Sequence, residues 1–230
     1  MVTRRELLGA TAAGVTVGAA GCSAIPFLGN EPLEFEATRA TVPASTREET
    51  GYEEKEVAQD VIERTFEVAG QSQDVVVTNW QAECDKAIDV GDLVEQDLPT
   101  DESARAAIFT VLSTPQVSVL GRSFNPVEDM DSRELAQQVQ DNYDGMEDIE
   151  QVGEDGALVA GQETTAGEFS TEAQLAETDR TVELAMHITE AVEVGEDFVV
   201  AVGAYPRPVR EVERDNVFAM MEAVEHEGGE

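Results

Sequence analysis

The chain has 230 residues and carries 49 acidic side chains against 14 basic ones, a formal charge of −35. A hydrophobic share of 41% lies well above the low-hydrophobicity signature of disorder, so a packed core is expected over most of the length. So negative a surface repels phosphate backbones and anionic headgroups, and nucleic acid is not an expected partner.

In chain order, residues 1–21 carry the densest signal. Arg4 and Arg5 precede Leu7 to Ala20, an apolar stretch of 14 residues rich in Ala and Gly, which ends in Ala19-Ala20-Gly21-Cys22. The stretch is short of the roughly 18 to 20 residues that span a bilayer as a helix, so it predicts a signal peptide and not a permanent anchor. The paired arginines resemble the twin-arginine export signal. Ala19-Ala20-Gly21-Cys22 resembles a lipobox, with Ala19 where leucine is usual. Small residues there let a processing enzyme reach the backbone, and the Cys22 sulfur receives the lipid. Residues 22–32, with Pro26, Gly29, Asn30 and Pro32, then form the lipidated Cys and its tether. Cleavage removes Arg4, Arg5 and Glu6, so the acidity belongs to the exported part.

Residues 33–226 are expected to form one globular domain, followed by an acidic tail at 227–230. The region 48–67 is polar and ambiguous, although Thr65-Phe66-Glu67-Val68 alternates like a strand. Asp74 to Cys84 reads as a strand on which Val76, Thr78, Trp80, Ala82 and Cys84 share the more apolar face. Trp80 is therefore expected in the core, and Cys84 as a buried, inert thiol. Residues 96–103 read as a loop before a further strand from Ala106 to Leu112. Asp131 and Glu134 have capping-box spacing, and Leu135, Val139 and Tyr143 continue a short amphipathic helix ending near Gly145.

Ala157 to Phe169 is expected to run as one long strand. Val182, Leu184, Met186 and Ile188 alternate with Glu183, Ala185, His187 and Thr189, the period of a half-buried strand with His187 on its polar face. Gly195-Glu196-Asp197 turns the chain into Phe198-Val199-Val200-Ala201-Val202, an apolar run suited to a sheet centre covered on both faces. Pro206 and Pro208 stop that strand. Val217, Met221 and Val224 line a closing helix, after which the tail from Glu225 is expected to fray. This order predicts an α+β fold, mainly an antiparallel sheet flanked by helices.

Chemistry is sparse. There is no phosphate-cradling glycine loop, nucleophile elbow or paired-cysteine knuckle. His187 and His226 are the only histidines, and neither has a His partner at metal spacing. A copper site of two His and one Cys is not expected, because no His follows Cys84 closely and His226 lies in the tail. Asp141, Asp144, Glu147 and Asp148 cluster without the spacing of a calcium loop and read as a solvated surface. No catalytic, metal or cofactor-binding residue is therefore predicted, and no cofactor is expected.

Twelve Arg against only two Lys, Lys55 and Lys86, within so acidic a chain resembles proteins of halophilic archaea. Concentrated salt shortens the Debye length to about 3 Å at 1 M and screens their self-repulsion. Glu49-Thr50-Gly51-Tyr52, Thr78-Asn79-Trp80, Ser113-Thr114-Pro115, Gly121-Arg122-Ser123-Phe124-Asn125-Pro126 and Val202-Gly203-Ala204-Tyr205-Pro206, with the lipobox at Cys22, resemble uncharacterised lipoproteins of halophilic archaea that share a domain of unknown function. The C-terminal meander and helix also look like the PsbP-type sandwich, whose members are often non-enzymatic binding or assembly proteins. These resemblances imply a non-catalytic binding or assembly module on the extracellular face of the cell membrane. It would be held by a lipid on Cys22 and face an unknown cell-surface protein or small ligand. An exported hydrolase using an unrecognised carboxylate pair is the alternative; a two-lobed solute receptor is disfavoured by size.

Overall fold

The computed structural model describes residues 31–68, 71–89, 103–119, 122–125, 127–142, 146–175 and 180–228. Arg4, Arg5, Cys22 and the loop at 96–102 lie outside the described residues, as do Gly145 and the side chains of 141–148. In chain order the elements are β1 (Leu33–Glu36), β2 (Ala40–Thr41), α1 (Ala44–Thr50), β3 (Glu53–Val68), β4 (Gln71–Asp89), β5 (Ser103–Pro115), β6 (Ser118–Val119) and β7 (Arg122–Ser123). They continue as α2 (Ser132–Asn142), β8 (Met146–Val159), β9 (Gln162–Leu175), β10 (Arg180–Thr189), β11 (Val192–Val194), β12 (Asp197–Pro206), a 3₁₀ turn (Arg207–Val209), α3 (Arg210–Glu222) and β13 (Glu225–His226).

Two antiparallel meanders meet side by side. The sheet runs β3-β4-β5-β12-β10-β9-β8, with β11 beside the start of β12 and β1 alongside β4 as the parallel pair. The fold is thus α+β with a mixed, mostly antiparallel sheet. The ambiguous region at 48–67 resolves into the end of α1 and the edge strand β3. Glu53, Glu54, Glu56, Asp60, Glu63 and Glu67 on β3 place charge along that edge, which discourages pairing with another chain. The expected single strand from Ala157 to Phe169 is instead a hairpin. Ala160 and Gly161 both have positive φ, 49° and 77°, and Val159 pairs with Gln162. Such a two-residue loop matches the twist of the flanking strands.

Both faces of β10 and β12 are covered. On one face Val217, Met220 and Met221 of α3 pack with Phe109, Val111, Ala185, Val199 and Ala201. On the other, Leu135 and Ala136 of α2 pack with Phe169, Met186, Ile188, Phe198 and Val200. The apolar run of β12 is thereby buried on both sides as its composition predicts. The half-buried reading of β10 is corrected: every residue from Leu184 to Thr189 is buried, because α3 covers the face that alternation marks as polar.

Helices α2 and α3 are each seated over a glycine. A Cβ on Gly203 of β12 would lie 2.4 Å from Val217 Cγ1, and a Cβ on Gly167 of β9 would lie 2.4 Å from Ser132 Oγ and 2.7 Å from Phe169 Cε2. Only hydrogen at these positions lets the helices approach so closely. The start of α2 carries the expected reciprocal cap: Glu134 N donates to Asp131 Oδ1 at 2.9 Å, and Asp131 N donates to Glu134 Oε2 at 3.2 Å.

Candidate functional site

The face under α3 gathers three arginine–carboxylate pairs and two buried polar clusters. Arg207, Arg210 and Arg214 recur at i, i+3 and i+7 along the 3₁₀ turn and helix, so they project to one side. Each finds a carboxylate on a successive strand: Arg207 pairs with Glu183 of β10, Arg210 with Glu168 of β9 at 2.8 Å, and Arg214 with Asp155 of β8 at 2.9 Å. The Arg210 pair is a fork, with Nε at 3.0 Å from Glu168 Oε1 and Nη2 within 2.9 Å of both oxygens. The Asp155 hydrogen bond raises the pKa of Arg214, whose guanidinium also lies 4.7 Å from the Phe218 ring centre.

Beside the first two rungs opens a cleft of about 320 Å³, lined by Arg207, Arg210, Glu168, Ser170, Ala185 and Val152 together with Phe169 and Leu184. Ser170 Oγ donates to Glu183 Oε1 at 3.1 Å. A register shift between Gln151 and Gly153 bulges β8 and leaves Val152 on the rim, 57% exposed. Bulges of this kind re-aim a side chain and are common beside binding sites.

Deeper under α3 lies His187, fully buried. Its Nε2 shares a 2.8 Å hydrogen bond with the Tyr205 hydroxyl, and Phe218 meets its ring edge-on at 5.2 Å. Burial holds the imidazole down to about 4, because the charged form has lost its water. Burial also raises the Tyr205 hydroxyl. The solvated, sheet-surface role expected for His187 is therefore wrong: it is a neutral core histidine.

A second buried cluster joins α1, β4 and α3. Lys86 Nζ lies 2.6 Å from Glu213 Oε1 and donates to the carbonyl of Thr50 at 2.8 Å, at the C-terminal end of α1. Tyr52 donates to Glu213 Oε2 at 3.2 Å, and Asn216 donates to Oε1 at 3.2 Å. Burial first, then the Glu213 charge, drives the Tyr52 pKa upward. Glu213 is 3% exposed, a depth a carboxylate tolerates only when paired and hydrogen-bonded. Cys84, a free and buried cysteine, is pushed up to about 11 by desolvation, as an inert thiol should be.

The expected fraying from Glu225 is corrected for Glu225 and His226, which are held in a strand. β13 pairs with β2, and His226 Nε2 donates to Asp197 Oδ2 at 2.8 Å with both side chains almost fully enclosed. The same oxygen accepts the backbone N–H of Thr38 at 2.8 Å. Trp80 is also corrected. It is half-buried and covered by a cation, with the Arg39 guanidinium 4.3 Å from its ring centre, instead of lying in the apolar core.

Among the described residues no group of three or more His, Cys, Asp or Glu is arranged to hold a metal ion, and no helix is long and apolar enough to cross a membrane. Arg4, Arg5 and Cys22, the residues singled out for export and lipidation, lie outside the described residues. The cleft arginines were missed by sequence reasoning. The available signal was their i, i+3, i+7 spacing in a chain with few cations. No curated protein matches the chain. A family described as "Domain of unknown function (DUF6517)" matches residues 39–225, from the segment entering β2 to the start of β13, and the chain belongs to that family.

Proposed function

We propose that the protein is a lipid-anchored binding or assembly module of a halophilic archaeon, exported through the twin-arginine signal at Arg4 and Arg5 and held on the extracellular face of the membrane by Cys22. It carries out no catalysis of its own. One observation carries the non-catalytic part: three carboxylates that are buried or line the cleft, Glu213, Asp197 and Glu168, are already committed. Glu213 is held by Lys86, Tyr52 and Asn216, Glu168 by Arg210, and Asp197 by His226 and the Thr38 amide. A hydrolase needs two carboxylates converging on open space, one of them holding a proton at working pH. Helices on both faces of an antiparallel sheet support the likeness to PsbP-type sandwiches, whose members often bind or assemble without turnover. The excess of 49 acidic over 14 basic side chains supports the halophile reading.

Intact mass spectrometry of protein from native membranes tests the anchor. The expected mass lacks residues 1–21 and carries a lipid on Cys22; an intact leader with a bare thiol would overturn the reading. Cys22→Ser is expected to release the protein into the medium. Lowering the ionic strength is expected to unfold the domain through unscreened carboxylate repulsion.

A further inference from the structure

We propose that the cleft between Arg207 and Arg210 binds a short-chain monocarboxylate, whose carboxylate bridges the guanidinium edges that Glu183 and Glu168 leave free. This rests on the reading of the chain as a binding module and names the ligand class.

A guanidinium has five N–H donors in a fixed plane. Arg210 spends its Nε and Nη2 edge on Glu168, and Arg207 spends Nη1 on Glu183. Each side chain keeps an unspent edge, and the two are 44% and 57% exposed. The glutamates hold both forks in place before any ligand arrives, so little side-chain entropy is lost on binding. Arg214, the third rung, differs: Asp155 engages it and its plane lies over Phe218.

Charge and size select the ligand. The lining carries Arg207 and Arg210 against Glu168, and Glu183 beside it brings the two rungs to neutrality, in a chain of −35. Neutral rungs offer donors for a single negative charge, whereas the surrounding carboxylates repel a more highly charged ligand. Val152 and Ala185 add an apolar wall suited to a short aliphatic chain. A volume of about 320 Å³ sits at the low end for ligand sites, which span roughly 300 to 1,000 Å³.

Isothermal titration calorimetry of the full chain in detergent, at fixed chloride and ionic strength, tests this with butyrate, acetate and inorganic phosphate as probes. Butyrate is expected to bind saturably at one site, more tightly than acetate, with phosphate weakest. Arg207→Gln and Arg210→Gln should each weaken butyrate about tenfold, the loss of one charge-assisted contact. Arg207→Lys and Arg210→Lys, which keep the charge and the ion pair but lose the planar fork, should weaken it as well. Arg214→Gln removes an ion pair of the same kind outside the cleft and should leave binding unchanged, with circular dichroism verifying that each variant is folded. The proposal is overturned if no probe binds saturably, if phosphate binds most tightly, if acetate equals butyrate, or if Arg214→Gln weakens binding as much as the cleft variants. Turnover of a butyrate ester in the same cleft would instead sink the non-catalytic reading and leave the site standing.

Discussion

The two faces of β10 and β12 are buried to a similar depth by opposite means. Under α2, Met186, Ile188, Phe198 and Val200 meet Leu135 and Ala136 in an apolar seam. Under α3, the same strands present His187 and Tyr205, and the layer extends to Tyr52, Lys86 and Glu213, with three arginine–carboxylate rungs along its margin. The α2 face depends on area and shape and tolerates repacking that conserves volume. The α3 face depends on pairing of its buried groups, Glu213 with Lys86, Tyr52 and Asn216 and His187 Nε2 with Tyr205, because those groups have lost their water. The proposed ligand cleft lies on the polar face, where the pairing that docks the helix also engages the arginines.

The largest break in this comparison should come from Lys86→Met. It leaves Glu213 charged and enclosed without its cation, and removing one partner of a buried pair costs about 3 to 5 kcal/mol. Denaturant unfolding at constant high salt measures it, and the double variant Lys86→Met with Glu213→Leu should recover much of the loss. A single variant as stable as the parent would mean that the cluster is dispensable.

Next comes acid. His187 titrates near 4 in the folded protein against 6.5 for the free side chain, so between those values the unfolded state binds more protons. Stability should then be fully present above about 6.5 and fall as the pH drops towards 4, by roughly 3 kcal/mol from this group. His187→Gln should flatten that part of the pH profile; an unchanged slope would remove the histidine from the account.

The two seating glycines sharpen the contrast further. Gly203→Ala and Gly167→Ala should each cost about 1 to 3 kcal/mol by overpacking. Gly167 should cost more, because Phe169 Cε2 at 2.7 Å and Ser132 Cβ at 2.8 Å stay in the way after the Ser132 hydroxyl rotates aside, whereas at Gly203 the Val217 Cβ stands off at 3.2 Å. Thermal melts of both variants rank them, and Val217→Ala should rescue Gly203→Ala in part. The smallest effect expected is Asp131→Ala, which removes the α2 cap at a cost of about 1 kcal/mol. A melt unchanged within a degree would show that α2 is held by packing alone.

Local chemistry was legible residue by residue. The Asp131–Glu134 box, the apolar run of β12 and the helical stripe of Val217 and Met221 appear in the fold where their spacing puts them, whereas Val224 lies past the end of α3 and joins the same core from the chain that follows it. The candidate cleft was not legible, because Arg207 and Arg210 gain meaning only from Glu183 and Glu168, which approach them from β10 and β9. The misread residues share a cause. His187, Trp80 and His226 were judged by their neighbours along the strand or tail, while their surroundings are supplied by α3, by Arg39 and by Asp197.

The sequence by itself determined the acidity, the strand and helix periods, the capping box and an α+β fold class, because each rests on composition or on interactions within a few residues of chain. Only the tertiary structure decided that the polar side of β10 is an interior, that the tail hooks back onto β2, and that two arginines flank an open cleft. Those outcomes depend on contacts between residues tens to more than a hundred positions apart, and burial, which sets both the cost and the strength of a charge, is a property of the assembled layers.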